Sequence, residues 1–494
     1  MRLVSLCCVF AAGACSLAGQ APPKALNPTV SRIVEGISEE RIAATLHKLE
    51  GFGTRYILSS QDDPVHGIGA AQRWIYGEFK SYSPKLEVRY QTFRVREGAR
   101  RGQVLREVEL ANVVATLPGT VHPDRFVLVT AHYDTVNLHR KPKFTDPERI
   151  ADFVKHGMDE AEARRVVDLF PTADALGEVD ALQTADEKIS PGVTDDGSGT
   201  AAVMELARVM SQYSFEKTLV FVAFSAEEIG LEGSKAYAAM AKQQGMQIEA
   251  VLNNDIIGSV VAGNGRENNS SLRVFSDGPE ESPGRELLRY VKLIAGRYVP
   301  SMGVEMVFHG DRFNRGGDHT SFYTQGYAAV RLTTPNENYA NQHSATDTFA
   351  NTSVPYTTRV TRMNASVLAS LALAPPPPVV NYTYNSGERK GDRAPMLGRG
   401  KSGYDAALRW LPSAASDIAG YAVVMRSTTA PDWEREIWVG NVTSYTIPDL
   451  SIDDFVLGVK AVDRDGNQSL VSAYLEPVTQ TLTAPPAAPV QSKK

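Results

Sequence analysis

The sequence predicts an α/β fold, with a mostly parallel central sheet flanked by helices and followed by a small C-terminal β-sandwich. Up to residue 374, short apolar runs alternate with segments whose apolar residues recur at helical spacing. Strands that are apolar nearly throughout, separated by helices, are typical of parallel sheets covered on both faces. Beyond four prolines at 375–378 the pattern changes to polar–apolar alternation, which is typical of sandwich strands.

The individual elements follow from these patterns. We expect strands at 110–117, 126–131, 218–224, 250–255 and 327–332, and helices at 70–82, 200–210 and 353–373. In parallel sheets, ligands gather at the carboxyl ends of the strands. Residues that directly follow these strands are therefore the first candidates for a functional site.

Changes in composition suggest the domain boundaries. We predict a signal peptide at 1–20, a main domain at 21–374, a proline-rich linker at 375–380, a β-rich domain at 381–481 and a disordered tail at 482–494. Within the main domain, 137–190 is a charged, helix-prone insertion. It is either a plain surface insertion or a lid over the site that its two ends flank.

The N-terminus is typical of a secretion signal, with a positive start and an apolar stretch at 3–14 that is too short to span a bilayer. We expect a secreted or periplasmic protein. Residues 12–15 also weakly resemble a lipoprotein cleavage box, and only in that case would the chain be anchored to a membrane. All three cysteines lie at or before Cys15, so a metal elsewhere must be held by His, Asp or Glu.

The charge pattern argues against a nucleic-acid partner. The formal net charge is -6, and no basic stripe with interleaved aromatic residues is present. The sequence says nothing about the oligomeric state.

Five patches, far apart in the sequence, carry residues that can bind a metal. Their candidate residues are His132 with Asp134, Asp195, Glu227 with Glu228, Asp255, and His343. Charged side chains placed after buried strands are costly unless their charge is compensated. A pair of divalent cations would provide that compensation.

The spacing within the patches indicates chemical roles. His132 and Asp134 are two residues apart at a strand end, so both project to one side. The aspartate can then accept a hydrogen bond from the imidazole of a metal-bound His132. Asp195 has two oxygens and can bridge two cations. The adjacent Glu227 and Glu228 suggest that one binds a metal while the other works as a base.

The order and local sequences of these patches resemble the co-catalytic di-zinc aminopeptidase family, which includes the bacterial secreted leucine aminopeptidases. The motifs are His-x-Asp after a strand, Asp-Asp-Gly-Ser-Gly at 195–199, Phe-Ser-Ala-Glu-Glu-Ile-Gly-Leu-Glu-Gly-Ser at 224–234, Asn-Asp-Ile-Ile-Gly at 254–258 and His-Ser-x-x-Asp-Thr at 343–348. The resemblance covers about residues 40 to 374 and implies a zinc-exopeptidase-like fold.

This resemblance implies two zinc ions per chain. Asp195, rather than its neighbour Asp196, would bridge them; His132 and Asp255 would complete one metal position, and Glu228 and His343 the other, with Glu227 as general base and Asp134 orienting His132. The implied activity is hydrolysis of N-terminal residues from peptides with a free N-terminus, by a zinc-bridging hydroxide. Some relatives stabilise the oxyanion with a tyrosine, and the nearest one to His343 here is Tyr339.

Two other functions stay open on the same scaffold. One is a glutaminyl cyclase-like enzyme with a single zinc, and the other is a catalytically silent binding protein. The C-terminal domain resembles a fibronectin type III-like domain, because strand-like runs at 420–426 and 455–462 accompany Trp410, Trp433 and Trp438.

Overall fold

The structure is a computed structural model that describes residues 26–99, 104–137, 140–141, 146–169, 178–179, 189–278, 282–311 and 315–475. The predicted signal peptide and C-terminal tail lie outside the described residues, as does part of the 137–190 insertion. The chain divides into two compact units, with the boundary between Ala374 and Pro375. Within the described ranges, no helix combines the length and apolar character needed to cross a bilayer.

The first unit contains ten helices and ten strands among its described residues. The helices are α1 (Pro28–Glu35), α2 (Glu39–Glu50), α3 (Gly67–Tyr82), α4 (Asp146–Lys155), α5 (Glu160–Leu169), α6 (Ser198–Met210), α7 (Glu232–Gln243), α8 (Pro283–Tyr298), α9 (His319–Tyr323) and α10 (Val354–Leu373). The strands are β1 (Glu87–Val95), β2 (Val108–Leu117), β3 (His122–His132), β4 (Arg140–Lys141), β5 (Glu178–Val179), β6 (Lys217–Phe224), β7 (Gln247–Asn254), β8 (Ser271–Phe275), β9 (Gly303–Val307) and β10 (Ala329–Thr333).

Eight of these strands form one sheet in the order β1-β2-β6-β3-β7-β10-β8-β9. The four central strands, β6, β3, β7 and β10, are parallel to one another. The pairs β1–β2, β2–β6 and β10–β8 are antiparallel, and β8–β9 is parallel. The predicted fold class, with its mostly parallel sheet, is confirmed.

Apolar runs account for the central strands, because both faces of the sheet are covered. Every residue of β6 is buried, and α6 and α10 are buried over nearly their whole length. A strand that is buried on both faces must be apolar at consecutive positions. This is why the runs at 126–131 and 218–224 predicted strands correctly.

The second unit is entirely β-rich in its described part. Its strands are β11 (Asn381–Thr383), β12 (Arg393–Pro395), β13 (Leu397–Gly398), β14 (Ala406–Arg409), β15 (Ile418–Ser427), β16 (Arg435–Gly440), β17 (Ser444–Ile447), β18 (Phe455–Asp463) and β19 (Ser472–Ala473). They form antiparallel sheets, chiefly β13-β14-β17 and β16-β15-β18-β19. Residues from both sheets, including Leu408, Trp410, Val423 and Val459, share one core. The β-sandwich prediction is confirmed; the likeness to fibronectin type III domains stays a prediction.

Candidate metal centre

Three of the five patches come from the carboxyl ends of adjacent parallel strands. His132 is the last residue of β3, Asp255 directly follows β7, and Glu227 lies just beyond the end of β6. Since these strands are neighbours in the order β6-β3-β7, their carboxyl ends meet at one edge of the sheet. Asp195 reaches the same edge from the turn before α6, and His343 from the loop between β10 and α10.

The predicted ligands form two overlapping groups. His132, Asp195 and Asp255 offer ligand atoms that all lie within 4.8 Å of one another, and so do Asp195, Glu228 and His343. Nε2 of His132 lies 3.3 Å from Oδ1 of Asp195, and Nε2 of His343 lies 3.0 Å from Oδ2 of Asp195. Nε2 of His343 is also 3.1 Å from Oε2 of Glu228. Asp195 therefore turns one oxygen toward each group.

The donor set suits zinc, which takes imidazole nitrogen and carboxylate oxygen. His132 is 1% exposed and Glu228 is 5% exposed, so neither is well solvated. Oε1 of Glu228 is buried and accepts no hydrogen bond from the described residues. A buried carboxylate oxygen without a donor is costly unless a cation completes it. The residues present therefore fit a metal centre.

The pKa shifts of the protein groups also indicate negative charge that the protein alone does not compensate. Burial, together with the neighbouring Asp255 and Glu228 carboxylates, raises the pKa of Glu227 well above its usual value. Burial acts to raise the pKa of Asp195 as well, but the hydrogen-bonding His132 and His343 outweigh it and lower that pKa. A bound cation reverses such repulsion among carboxylates.

Asp134 makes different contacts from those we predicted. Its carboxylate accepts hydrogen bonds from the backbone N–H groups of Glu227, at 3.1 Å, and Glu228, at 3.3 Å. Nδ1 of His132 lies 3.1 Å from the backbone carbonyl of Asp134 and 3.7 Å from its carboxylate. Because a carbonyl oxygen can only accept, this contact requires the proton on Nδ1 and leaves Nε2 free to bind a metal. Asp134 thus orients His132 through its backbone, and the two glutamates through its side chain.

Asp196 has a structural task that keeps it apart from the ligands. Its Oδ2 accepts a hydrogen bond from the backbone N–H of His132 at 3.2 Å. Its Oδ1 accepts from the backbone N–H groups of Gly199, at 3.0 Å, and Ile256, at 3.1 Å. These bonds occupy both oxygens and connect three of the ligand-bearing segments. This arrangement supports Asp195, not Asp196, as the bridging carboxylate.

Sequence reasoning assigned no role to Asp347, which holds Asp195 in place. Its two carboxylate oxygens accept hydrogen bonds from the backbone N–H groups of Thr194 and Asp195, each at 2.9 Å. The side chain is fully buried, and burial raises the pKa of Asp347 to about 6. Its position four residues after His343, in the same motif, was the only local signal.

Arg55 was also missed. This fully buried arginine donates hydrogen bonds to the backbone carbonyls of Tyr133, at 2.6 Å, and Gly192, at 2.9 Å. It therefore ties the segment after His132 to the segment before Asp195. Nothing near residue 55 in the sequence indicates these distant partners.

Backbone conformation marks the same edge of the sheet. Ala226, Ile256 and His343 are non-glycine residues in the left-handed region, with φ of 64°, 63° and 54°. Each is a candidate ligand or directly adjoins a candidate ligand or base. Such conformations are uncommon outside glycine and cluster at functional sites.

His319 lies outside both groups. It is buried, and its Nε2 is 3.2 Å from Oδ2 of Asp277. Tyr339 is 57% exposed, and its hydroxyl accepts a hydrogen bond from Arg315 at 3.3 Å.

An α/β sheet whose carboxyl edge carries overlapping carboxylate and imidazole groups, with a further glutamate beside them, defines a metal-dependent hydrolase. Comparison with known families narrows that class. The model described as Peptidase family M28 matches residues 112–368, a range that includes all five patches. The chain belongs to Peptidase family M28, and our prediction that it is a metallopeptidase is confirmed.

Relatives with assigned names are similar over most of the chain. A "Probable zinc metalloprotease" of Leptosphaeria maculans is 33% identical over 471 residues, which cover 89% of this chain and 95% of that protein. A "Probable zinc metalloprotease" of Pyricularia oryzae is 33% identical over 469 residues, covering 88% and 82%. Among solved structures, LapB from Legionella pneumophila has a TM-score of 0.49 at 17% identity, covering 71% of this chain and 76% of its own.

Proposed function

We propose that the chain is a zinc-dependent aminopeptidase that holds two zinc ions. The observation that carries this proposal is the position of Asp195, whose two oxygens face two separate groups of potential ligands. His132 and Asp255 would complete one position, and Glu228 and His343 the other. The names of the relatives support zinc as the metal.

The two bound zinc ions would supply Lewis-acid chemistry, polarising the scissile carbonyl and lowering the pKa of water. The remaining tasks fall to protein side chains. Glu227 takes a proton from the attacking water and returns it to the leaving amine nitrogen. It is suited to this because Asp134 fixes its backbone, because it is less buried than Glu228, and because its carboxylate lies within 4.8 Å of ligand atoms of His132 and Glu228.

The substrates in this proposal are peptides with a free N-terminus, and the location is the periplasm or the exterior of the cell. The apolar N-terminal stretch supports export, and the family supports peptides as substrates. The Tyr339 hydroxyl accepts a hydrogen bond from Arg315, and this proposal assigns no oxyanion donor.

Matched peptides with free and acetylated N-termini test the aminopeptidase assignment. We expect only the free peptides to lose their first residue, and a chelator to abolish the reaction. Cleavage that persists after acetylation would contradict an aminopeptidase. Ring closure of an N-terminal glutamine peptide without hydrolysis would indicate a glutaminyl cyclase instead, and a folded chain that binds no zinc would indicate a silent binding protein.

Glu227→Gln tests the proposed base. We expect this variant to keep its zinc and to lose about 10²–10⁴-fold in kcat, the usual contribution of a general base. Glu232→Gln is a matched control, since Glu232 lies on the same segment and pairs with Lys235. Normal turnover by Glu227→Gln would place the base elsewhere.

A further inference from the structure

Asp255 is held by the neighbouring strand β10 through both its backbone and its side chain. Its backbone N–H donates to the carbonyl of Leu332 at 3.1 Å. Arg331, the residue before Leu332, pairs across the strands with Asn253, two positions before Asp255. This register directs the Arg331 side chain along the strand toward Asp255.

The contact between Arg331 and Asp255 is a buried ion pair. Nε of Arg331 lies 3.1 Å from Oδ2 of Asp255, and the two side chains are 2% and 4% exposed. Nη1 of Arg331 donates to Oδ2 of Asp311 at 2.9 Å, which fixes the far end of the guanidinium. Arginine stays charged and has no lone pair to offer a metal, so it can hold a carboxylate without becoming a ligand.

Gly317 encloses the same oxygen from another side. A Cβ atom built at Gly317 would lie 2.6 Å from Oδ2 of Asp255 and 3.3 Å from Cδ of Arg331. The Gly317 backbone therefore approaches Oδ2 of Asp255 so closely that only a residue without a side chain fits there. Oδ2 is thus in ion-pair contact with Arg331 and lies beside the Gly317 backbone, and Asp255 offers one ligand oxygen within 4.8 Å of those of His132 and Asp195.

Glu228, the corresponding carboxylate of the other group, pairs with no arginine or lysine in the described ranges of the chain. Its Oε2 lies beside His343, and its Oε1 accepts no hydrogen bond from the part of the chain that the structure describes. The two proposed zinc positions thus differ in one respect. The Asp255 carboxylate contacts the buried guanidinium of Arg331, whereas the Glu228 carboxylate contacts His343, another candidate ligand.

We propose that Arg331 is a positioning residue that turns Asp255 so that Oδ1 faces the zinc position shared with His132 and Asp195, and that it acts on this position alone. The inference rests on the proposed two-zinc site. Arg331 also belongs to a network of ion pairs, because its partner Asp311 faces Arg315, which pairs with Glu337. It therefore contributes to stability as well. A purely structural arginine would affect stability without distinguishing the two positions.

Metal titration of the full chain separates these roles. Metal-free protein is titrated with Zn²⁺ by calorimetry and with Co²⁺ by visible absorption. We expect two positions in the wild type, and in Arg331→Gln an affinity about 10–100-fold weaker at one position with the other unchanged, as is typical when the partner of a ligand is removed. Arg331→Lys should restore part of that loss.

Two further variants confine the effect to Asp255. Gly317→Ala should weaken the same position, because its Cβ displaces Oδ2. In an Asp255→Asn background, Arg331→Gln should have no additional effect, since the two changes act through one contact. Arg289→Gln is the matched control: Arg289 is also buried and ion-paired, to Glu286, and both residues lie on α8.

The outcomes are distinguishable. If Arg331→Gln and Gly317→Ala both keep both affinities within about twofold of wild type, or lose both equally, the positioning role is overturned while the two-zinc site stands. If the wild type binds fewer than two zinc ions, the proposed function fails, and the inference with it. Should Arg331→Gln not fold, Arg331→Lys and Gly317→Ala give the same decision.

Discussion

Asp347 offers a sharp test of how the bridging carboxylate is held. Its two oxygens accept the backbone N–H groups of Thr194 and Asp195, both at 2.9 Å, inside a fully buried pocket. Asp347→Asn conserves the shape of the side chain. It replaces one oxygen by an NH₂ group, which must then face one of the two N–H donors.

The magnitude follows from these two bonds. A hydrogen bond to a charged acceptor contributes about 1.5–3 kcal/mol, and a neutral one about 0.5–1.5 kcal/mol. Losing one charged bond and neutralising the other should cost about 2.5–4.5 kcal/mol, which for a unit of this size lowers Tm by about 3–6 °C. Because Asp195 belongs to both groups, zinc should bind about 10–100-fold more weakly at both positions.

Calorimetric unfolding of the metal-free protein and zinc titration measure these two effects separately. Thr352→Val is a suitable control, because the Thr352 hydroxyl contacts Thr194 at 3.1 Å without touching Asp195. We expect the control to stay near wild type in zinc affinity. Wild-type Tm and affinity in Asp347→Asn would refute the view that these bonds position Asp195.

Three further results are expected. Burial lowers the pKa of the His132 and His343 imidazoles, but the neighbouring carboxylates outweigh burial and raise both pKa values well above the usual value. Zinc binding at pH 7 should therefore release about two protons, and the affinity for zinc should fall as the pH falls. Calorimetry in two buffers that shows no proton release would contradict this expectation. Gly199→Ala should cost about 1–3 kcal/mol, since its Cβ would lie 2.4 Å from a carboxylate oxygen and 2.7 Å from a backbone carbonyl; unchanged urea unfolding would count against this packing. Lys217→Met should cost about 1.5–3 kcal/mol in the same assay, because the buried Lys217 pairs with Glu249 at 2.6 Å while Arg125 remains a second partner of Glu249. A loss below about 1 kcal/mol would contradict this contribution.

The sequence predicted the central sheet and the patches at His132, Glu227 and Asp255 for one physical reason, whereas the ligand roles of Asp195 and His343 came from the family resemblance. Strands buried on both faces have long apolar runs, and charged residues directly after such runs stand out. The edge strand β1 was missed because its residues alternate in exposure and carry several polar side chains. The sequence of β1 contains no continuous apolar run, whereas β6 has one because it is buried at every position.

The supporting contacts of the site could not be predicted in the same way. Arg331 is a charged residue inside an apolar strand, which signals a buried partner but does not identify it as Asp255. Arg55 is separated from Tyr133 and Gly192 by more than 70 positions. For Asp134 the sequence correctly indicated proximity to His132, but the choice between backbone and side-chain oxygen depends on the turn geometry after β3.

The contacts around Arg55 also determine how the 137–190 insertion joins the unit. Next to it, the Thr135 hydroxyl donates to the carbonyl of Ser190 at 3.0 Å, and the Ser190 hydroxyl donates to the carbonyl of Val136 at 2.9 Å. These hydrogen bonds join the two ends of the insertion, so the chain leaves and re-enters the unit at one fixed place, here called the neck (135–136 and 190). For such a segment, each doubling of length adds only about 0.6 kcal/mol of closure entropy, so whatever lies beyond the neck can be exchanged or resized in evolution while the catalytic edge keeps its shape.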